Sequence, residues 1–167
     1  MPTIPAVTAR ELMRTEIPTL PESAPVREAI AVFEDEHVTG IPVVDAAENV
    51  VGVLSEHDVA RRDHVRGSRI ETERGDYDMA EPDEDEPSVE TAEFSSKEDY
   101  SPALLGEALV KDWMNPAVIS VAPDAGLKTI CETMRREGVH RVLVVEGGRL
   151  LGLVSSLDVV RYLARVL

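Results

Sequence analysis

A seven-residue pattern of glycine, serine and aspartate occurs twice in this chain, once in each half. The two copies are Gly52, Ser55 and Asp58, and about 100 residues later Gly152, Ser155 and Asp158. An apolar run precedes each serine and a helical pattern follows it, so each copy is predicted where a strand leads into a helix. The first N–H groups of a helix lack partners and carry partial positive charge. Each junction is therefore a candidate site for an anion.

The residue types at this junction suit a sugar phosphate. A carboxylate beside the helix start can accept two hydrogen bonds from a ribose diol, while the serine hydroxyl and the backbone N–H groups face phosphate oxygens. The alternative is structural, because S-x-x-D is also a variant capping box that only stabilises its helix. Its occurrence in both halves favours binding, since aspartate is shorter than the usual glutamate and should reach back to the N-cap less well.

The elements that position these residues are repeated as well. Two predicted helices carry apolar residues at i, i+3, i+4 and i+7, which is the stripe of a helix that packs on one side. These residues are Val26, Ala29, Ile30 and Phe33 in the first copy, and Leu127, Ile130, Cys131 and Met134 in the second. Ser23 and Asp124 are the predicted N-caps, and Gly138 is predicted to end the second helix.

Each helix precedes a β-branched run, at 40–44 and at 141–145, then a turn and the strand that leads into the motif. Each copy is thus predicted to be a strand, helix, strand, strand, helix unit of roughly 55 residues, too small to be stable alone. We expect the two units to pack sheet to sheet, as internal repeats do when they bury each other's apolar surface.

The charge of the chain limits its partners. Thirty-two acidic residues oppose seventeen basic ones, so the net charge is −15, and only three of the bases are lysines. This composition is typical of halophilic cytoplasmic proteins, with an ordinary acidic protein as the alternative. In either case a nucleic-acid backbone would be repelled. The apolar runs of about five residues are far shorter than the roughly 20 of a membrane helix, and the N-terminus has no secretory pattern, so we predict a cytoplasmic protein without membrane association.

A different composition separates the two copies. Thirteen of the twenty-nine residues from Glu71 to Asp99 are acidic, and large apolar residues are scarce. Such a segment buries too little apolar surface to offset the entropy cost of ordering it. We therefore predict units at 7–65 and 103–167 with a mobile acidic insertion at 66–102. It is either a solvated linker or an acidic arm that docks on a basic partner or covers a cleft.

The order of elements, the strands GIPVVD and RVLVVE, and the repeated motif resemble the cystathionine-β-synthase (CBS) domain, which occurs in tandem pairs. The resemblance covers nearly everything outside residues 66–102. It implies a mixed α+β fold of two pseudo-twofold-related β-α-β-β-α repeats packed through their small sheets. It also implies clefts that hold adenosine-type ligands such as AMP, ADP, ATP or S-adenosylmethionine, with no required cofactor. A homodimer and a regulated partner protein, not identified by the sequence, are further implications.

The resemblance also assigns candidate ribose- and phosphate-binding residues. They are Thr39, Ser55, Asp58, His140, Arg141, Ser155 and Asp158. Some members of the family carry a His-Arg pair that contacts phosphate at the place of His140 and Arg141. Arginine offers a planar fork for phosphate, and histidine adds a donor that becomes charged near neutral pH; an exposed pair at a strand entrance is the alternative. In the first copy Thr39-Gly40 offers no cation, so we expect that cleft to take a less charged adenosyl compound or none.

An adenine ring needs an apolar slot, which by resemblance comes from the strand entrances and the strands behind them. The candidates are Ile17, Pro18, Ile41, Pro42, Val118, Ile119, Val142 and Leu143. Most are also core positions, so each alone is better explained by packing. Trp113 could stack on a ring, but its repeat partner is Leu12, which favours packing.

Two functions remain from the sequence: a non-catalytic sensor of adenosine-type ligands, and a ligand-free interaction or dimerisation scaffold. An enzyme is disfavoured, because Cys131 is predicted on a buried stripe and the four histidines have no repeated geometry. A metal site from Glu56, His57, Asp58 and His64 is also disfavoured, since adjacent residues on a helix point to different faces. We therefore predict neither a catalytic nor a metal site.

Overall fold

The computed structural model describes residues 5–67 and 108–167, and for residues 62–67 the backbone alone. The first half consists of α1 (Ala9–Leu12), β1 (Leu20–Pro21), α2 (Val26–Glu36), β2 (Gly40–Val44), β3 (Val50–Ser55) and α3 (Glu56–Gly67). The second half consists of α4 (Val110–Trp113), β4 (Ser120–Val121), α5 (Leu127–Glu137), β5 (Arg141–Glu146), β6 (Arg149–Ser155) and α6 (Ser156–Val166). Apart from the end of α3, the predicted acidic insertion lies outside the described residues.

Each half contains one three-stranded mixed sheet, with strand orders β1-β2-β3 and β4-β5-β6. In both sheets the first strand is parallel to the second, and the second is antiparallel to the third. The hairpin turn of the first sheet is longer than that of the second. In the first turn Asp45 accepts hydrogen bonds from the backbone N–H groups of Ala47 and Asn49. Gly147 and Gly148 form the second turn and have positive φ angles. This arrangement confirms the predicted α+β fold of two β-α-β-β-α repeats.

The helix patterns are confirmed in the first repeat and corrected in the second. Val26, Ala29, Ile30 and Phe33 of α2 are all buried. In α5 the buried residues are Ile130, Thr133 and Met134, whereas Cys131 is exposed. The prediction of a buried Cys131 was wrong, because the buried face of α5 is rotated toward Thr133 and leaves Cys131 at its edge.

The helix starts also differ from the prediction. The N-caps of α2 and α5 are Pro25 and Gly126, two residues after the predicted Ser23 and Asp124. Each of these N-caps forms a bridge with the other half of the chain, to Leu109 and Thr8 respectively. In α2 the Ala108 carbonyl takes the place of a capping side chain, since it accepts the Val26 backbone N–H at 2.9 Å. The predicted end of α5 at Gly138 is confirmed, with φ of 64°.

The two repeats are interlocked, because the short helix that opens each repeat packs against the core of the other. Ala9 of α1 is buried in the cluster formed by the second sheet and its helices. Val110 and Trp113 of α4 are buried in the cluster of the first sheet. Trp113 is only 3% exposed, which confirms its predicted packing role.

Backbone hydrogen bonds fix this exchange two residues after each short helix. Arg14 both donates to and accepts from Leu153 of β6, with N···O distances of 2.9 and 3.0 Å. Asn115 pairs in the same way with Val53 of β3, at 2.8 and 2.9 Å. Each sheet thus gains an extra bridge from the opposite half of the chain.

The exchanged segments, residues 9–16 and 110–117, consist of each short helix and the residues that follow it. They explain why the repeated motif contains a glycine. A β-carbon on Gly152 would lie 2.6 Å from the Arg14 carbonyl oxygen, and one on Gly52 would lie 2.8 Å from that of Asn115. Neither glycine has a positive φ angle, so close approach of the other segment, rather than turn geometry, requires glycine here.

Candidate ligand-binding cleft between the repeats

A cleft of about 520 Å³ opens between the two repeats beside the first copy of the motif. Its polar lining comes from both halves of the chain and consists of Thr39, Ser55, Asp58, Asn115, His140 and Arg141. Its other lining residues are Gly40, Pro42, Val53, Ala117, Ile119, Val139, Leu143 and Leu153. A mostly apolar cleft of this volume with a few converging polar groups is typical of a small-molecule site. We call it the Asp58 cleft.

Both motif aspartates complete capping boxes. Asp58 Oδ2 accepts from the Ser55 backbone N–H at 3.0 Å and from its hydroxyl at 2.6 Å. Asp158 Oδ2 accepts from the same two groups of Ser155 at 2.9 and 2.6 Å. The expectation that aspartate would reach the N-cap less well was wrong, since the short side chain makes both bonds. The capping role is therefore real, but it uses only one oxygen of each carboxylate.

The second oxygen distinguishes the two aspartates. Asp158 Oδ1 accepts from Arg14 Nη2 at 2.9 Å and Nε at 3.2 Å, and Arg161 Nη1 lies 3.7 Å away. Burial alone would raise the pKa of Asp158, but the hydrogen bonds from Ser155 and Arg14 outweigh it and lower that pKa. Asp58 Oδ1 accepts no hydrogen bond from any residue that the structure describes. Its acceptor capacity is therefore available where Asp58 lines the cleft.

The His140–Arg141 pair joins the cleft from the opposite repeat. His140 and Arg141 precede and begin β5, yet both line the cleft that contains Thr39 and Asp58. Arg141 Nη1 donates to Thr39 Oγ1 at 3.0 Å, so the two strand entrances meet. The expectation that the Thr39-Gly40 cleft has no cation was therefore wrong. The interlocked packing places His140 and Arg141 of one repeat and Asp58 of the other in the lining of the same cleft.

The candidate residues are only partly brought together. Thr39, Ser55, Asp58, His140 and Arg141 share the Asp58 cleft, whereas Ser155 and Asp158 are not part of its lining. Of the adenine candidates, Pro42, Ile119 and Leu143 line the cleft. Ile41 and Val142 point into the cores because side chains alternate along a strand. Ile17, Pro18 and Val118 are partly buried elsewhere.

Six cleft residues were not among the individually named candidates: Gly40, Val53, Asn115, Ala117, Val139 and Leu153. The signal for Val53 and Leu153 was present, since each lies two residues before a motif serine and so shares its face of the strand. Asn115 and Ala117 lie in the exchanged segment, which the pattern of apolar residues does not reveal.

Within residues 5–61 and 108–167, no three histidine, cysteine or acidic side chains are placed to hold a metal ion. The side chain of His64, named in the metal alternative, lies outside the described residues. None of the helices that the structure describes combines the length and apolarity needed to cross a membrane.

Comparisons with known proteins agree with the repeat. The family model for the CBS domain matches residues 9–64 and 110–165. The chain is 28% identical over 156 residues to an uncharacterized protein of Methanocaldococcus jannaschii, and 30% identical over 144 residues to human 5'-AMP-activated protein kinase subunit gamma-3. These matches cover 92% and 85% of this chain, but only 42% and 23% of the two relatives. The chain thus spans less than half the length of either.

Solved structures share the fold. The structure of CBSX2 in complex with AMP matches 95% of this chain and 97% of its own, with a TM-score of 0.66 and 20% identity; CBSX2 is a chloroplastic protein of Arabidopsis thaliana. The CBS domain pair of the protein MJ0100, in complex with 5'-methylthioadenosine and S-adenosyl-L-methionine, matches 96% of this chain and 98% of its own, with a TM-score of 0.64 and 15% identity. The family model covers both halves of the described fold, and this chain therefore belongs to the CBS-domain family as a tandem pair.

Proposed function

We propose that this chain is a regulatory sensor that binds an adenosine-type ligand, of the AMP, ADP, ATP or S-adenosylmethionine class, in the Asp58 cleft. CBS-domain pairs are generally regulatory modules without catalysis, and such pairs bind AMP or S-adenosylmethionine-type ligands. One observation carries the proposal: an aspartate with an uncommitted carboxylate oxygen and the His140–Arg141 pair, from opposite repeats, line one cleft.

The roles within the cleft follow from this placement. Asp58 Oδ1 accepts hydrogen bonds from the ribose hydroxyls, while Oδ2 continues to cap α3. Arg141 and His140 lie beside the phosphate, with Thr39 as a further hydroxyl partner. The apolar side chains of Pro42, Ile119 and Leu143, together with Val53 and Leu153, supply the slot for adenine.

The net charge of −15 does not prevent phosphate binding at this place. Charges farther apart than a Debye length of about 8 Å at physiological ionic strength are largely screened. Arg141 lies in the cleft itself, so its short-range interaction dominates over the distant acidic residues. The same net charge supports a protein that does not bind nucleic acid, and a cytoplasmic location stays a prediction from the sequence.

A homodimer is the second part of the proposal. Leu157, Val160 and Leu167 are 50%, 58% and 75% exposed, and they follow one side of α6 to its end. Large apolar side chains grouped on one helix are typical of a surface that another protein covers. A ligand-free scaffold is the alternative function, and the complete capping boxes favour it, since both aspartates already have a structural role.

Thermal unfolding with AMP and with adenosine tests the site. A ligand present at 100 times its Kd stabilises the folded state by about 2.7 kcal/mol, which raises the Tm of a chain of this size by about 5–10 °C. The Asp58→Asn change keeps an oxygen for the capping box but replaces the outer acceptor with an NH₂ group. We expect the AMP-induced shift to disappear in Asp58→Asn and to persist in Asp35→Asn, an exposed acid on α2.

The Arg141→Ala change separates the phosphate from the nucleoside. Removing a charge-assisted hydrogen bond of this kind weakens AMP binding by about tenfold or more, and the affinity for adenosine should stay the same. The proposal is wrong if no adenosine-type ligand shifts the Tm of the natural chain. It is also wrong if the shift survives in Asp58→Asn, and the scaffold function would then remain.

A further inference from the structure

The two repeats differ at the residue beside the outer oxygen of each motif aspartate. Arg14 and Asn115 occupy corresponding positions, because each lies two residues after a short helix and each makes the same pair of backbone hydrogen bonds to the strand that ends at the motif serine. The Asn115 side chain is turned to its own segment, where Oδ1 accepts from the Ala117 backbone N–H at 3.0 Å. The Arg14 side chain instead extends to Asp158.

The Arg14 contact uses the acceptor that a ribose would need. Asp158 Oδ2 is occupied by the capping box, and Oδ1 accepts two N–H groups from Arg14. Asp158 is also well shielded, with 11% of its side chain exposed, so an incoming hydroxyl would have to displace the guanidinium from a largely desolvated carboxylate. Asp58 has no corresponding arginine among the described residues.

A second difference between the repeats also disfavours a nucleotide at Asp158. Ala117 lines the Asp58 cleft, and the residue at the corresponding position beyond Arg14 is Glu16, which is exposed. An acidic side chain there disfavours a phosphate-bearing ligand. Both differences lie in the segment that follows α1, and the Arg14 contact in particular makes Asp158 less available to a nucleotide than Asp58.

We infer that Arg14 acts as a built-in occupant of the second motif, so that each chain binds one adenosine-type ligand rather than two. The inference rests on the proposed function, because it assumes that the Asp58 cleft binds such a ligand. It adds the stoichiometry and identifies the residue that sets it. The Arg14 guanidinium occupies the position of the ribose hydroxyls at Asp158 Oδ1, whereas Asn115 leaves Asp58 Oδ1 available to them.

Exchanging these residues between the repeats tests the inference. Isothermal titration calorimetry with AMP, up to millimolar concentration, should give one site per natural chain. The double change Arg14→Asn and Glu16→Ala copies the residues of the Asp58 cleft and should give two. Asp58→Asn should then remove the single site of the natural chain but leave one site in the double variant. The reverse change, Asn115→Arg, should weaken AMP binding to the natural site by at least about tenfold.

The outcomes separate the inference from the proposed function. Two AMP molecules bound per natural chain would overturn the inference alone, and so would a single site in a double variant that still unfolds cooperatively. If the double variant does not fold, the number of AMP molecules bound by the natural chain and the effect of Asn115→Arg on AMP affinity still test the inference. A natural chain that binds no AMP and no adenosine would refute the proposed function, and the inference with it.

Discussion

Replacing Gly152 by alanine should destabilise the fold, because it pushes apart the exchanged segment and the strand that receives it. The new β-carbon would lie 2.6 Å from the Arg14 carbonyl oxygen and 2.7 Å from the Met13 sulfur. Favourable contacts of carbon with these atoms lie at about 3.5 Å or more, so the segment must move by nearly an ångström. Both hydrogen bonds between Arg14 and Leu153, now 2.9 and 3.0 Å, would then leave the normal range.

The size of the effect follows from these contacts. Two lost hydrogen bonds cost about 0.5–1.5 kcal/mol each, and overpacking adds about 1–3 kcal/mol. Alanine recovers about 0.4–1 kcal/mol by restricting the unfolded chain. We therefore expect the free energy of unfolding to fall by about 1–5.5 kcal/mol, which is a large part of the stability of a small domain.

Urea unfolding followed by circular dichroism measures this change, and Gly40→Ala provides the matched control. A β-carbon on Gly40 would have no neighbour closer than 3.9 Å, and its φ is not in the left-handed region. We expect that variant to stay within about 1 kcal/mol of the natural chain. Equal midpoints and slopes for Gly152→Ala and Gly40→Ala would refute the explanation of the motif glycine by close approach.

The structure makes two further predictions. The folded-state pKa of Asp158 lies below its unfolded value of about 3.9, so the carboxylate stabilises the fold above about pH 4, and this contribution is lost as the pH falls through the folded pKa. Acid unfolding of Asp158→Asn should therefore depend less steeply on pH below 4, and an unchanged dependence would contradict the prediction. For the dimer, Val160→Lys should shift the sedimentation coefficient toward that of a monomer, whereas Thr129→Lys, at an exposed position of α5, should not; identical sedimentation of the two variants would exclude α6 as the interface.

Much of the fold was predictable because the same structural unit occurs twice in the sequence. Periodicity alone identified α2 and the strands before each motif, and the repetition indicated which of these patterns belong to one unit. An apolar stripe predicts burial less reliably at its edges, where a polar residue such as Thr133 can be buried while Cys131 is exposed. Capping residues were misplaced for a related reason, since the first N–H of α2 donates to Ala108 of the other repeat instead of to a side chain.

The candidate site was predictable in composition but not in arrangement. Residue types pointed to Asp58 and to the His140–Arg141 pair, yet no local pattern places them in the same cleft. That juxtaposition depends on contacts between residues about 80 positions apart in the chain, which follow from the exchange of α1 and α4. The pairing of Arg14 with Asp158 has the same origin, so the two aspartates are equivalent in sequence and different in structure.

The exchange of opening helices has a consequence for how such a chain can arise. A single repeat present as a separate polypeptide could complete its core only by domain swapping with a second copy, each lending its first helix to the other. Joining the two copies in one chain replaces that bimolecular encounter by an intramolecular one, at an effective concentration set by the tether rather than by expression level. Once tethered, the copies are free to diverge at single positions such as 14 and 115 without losing the partner that completes each core.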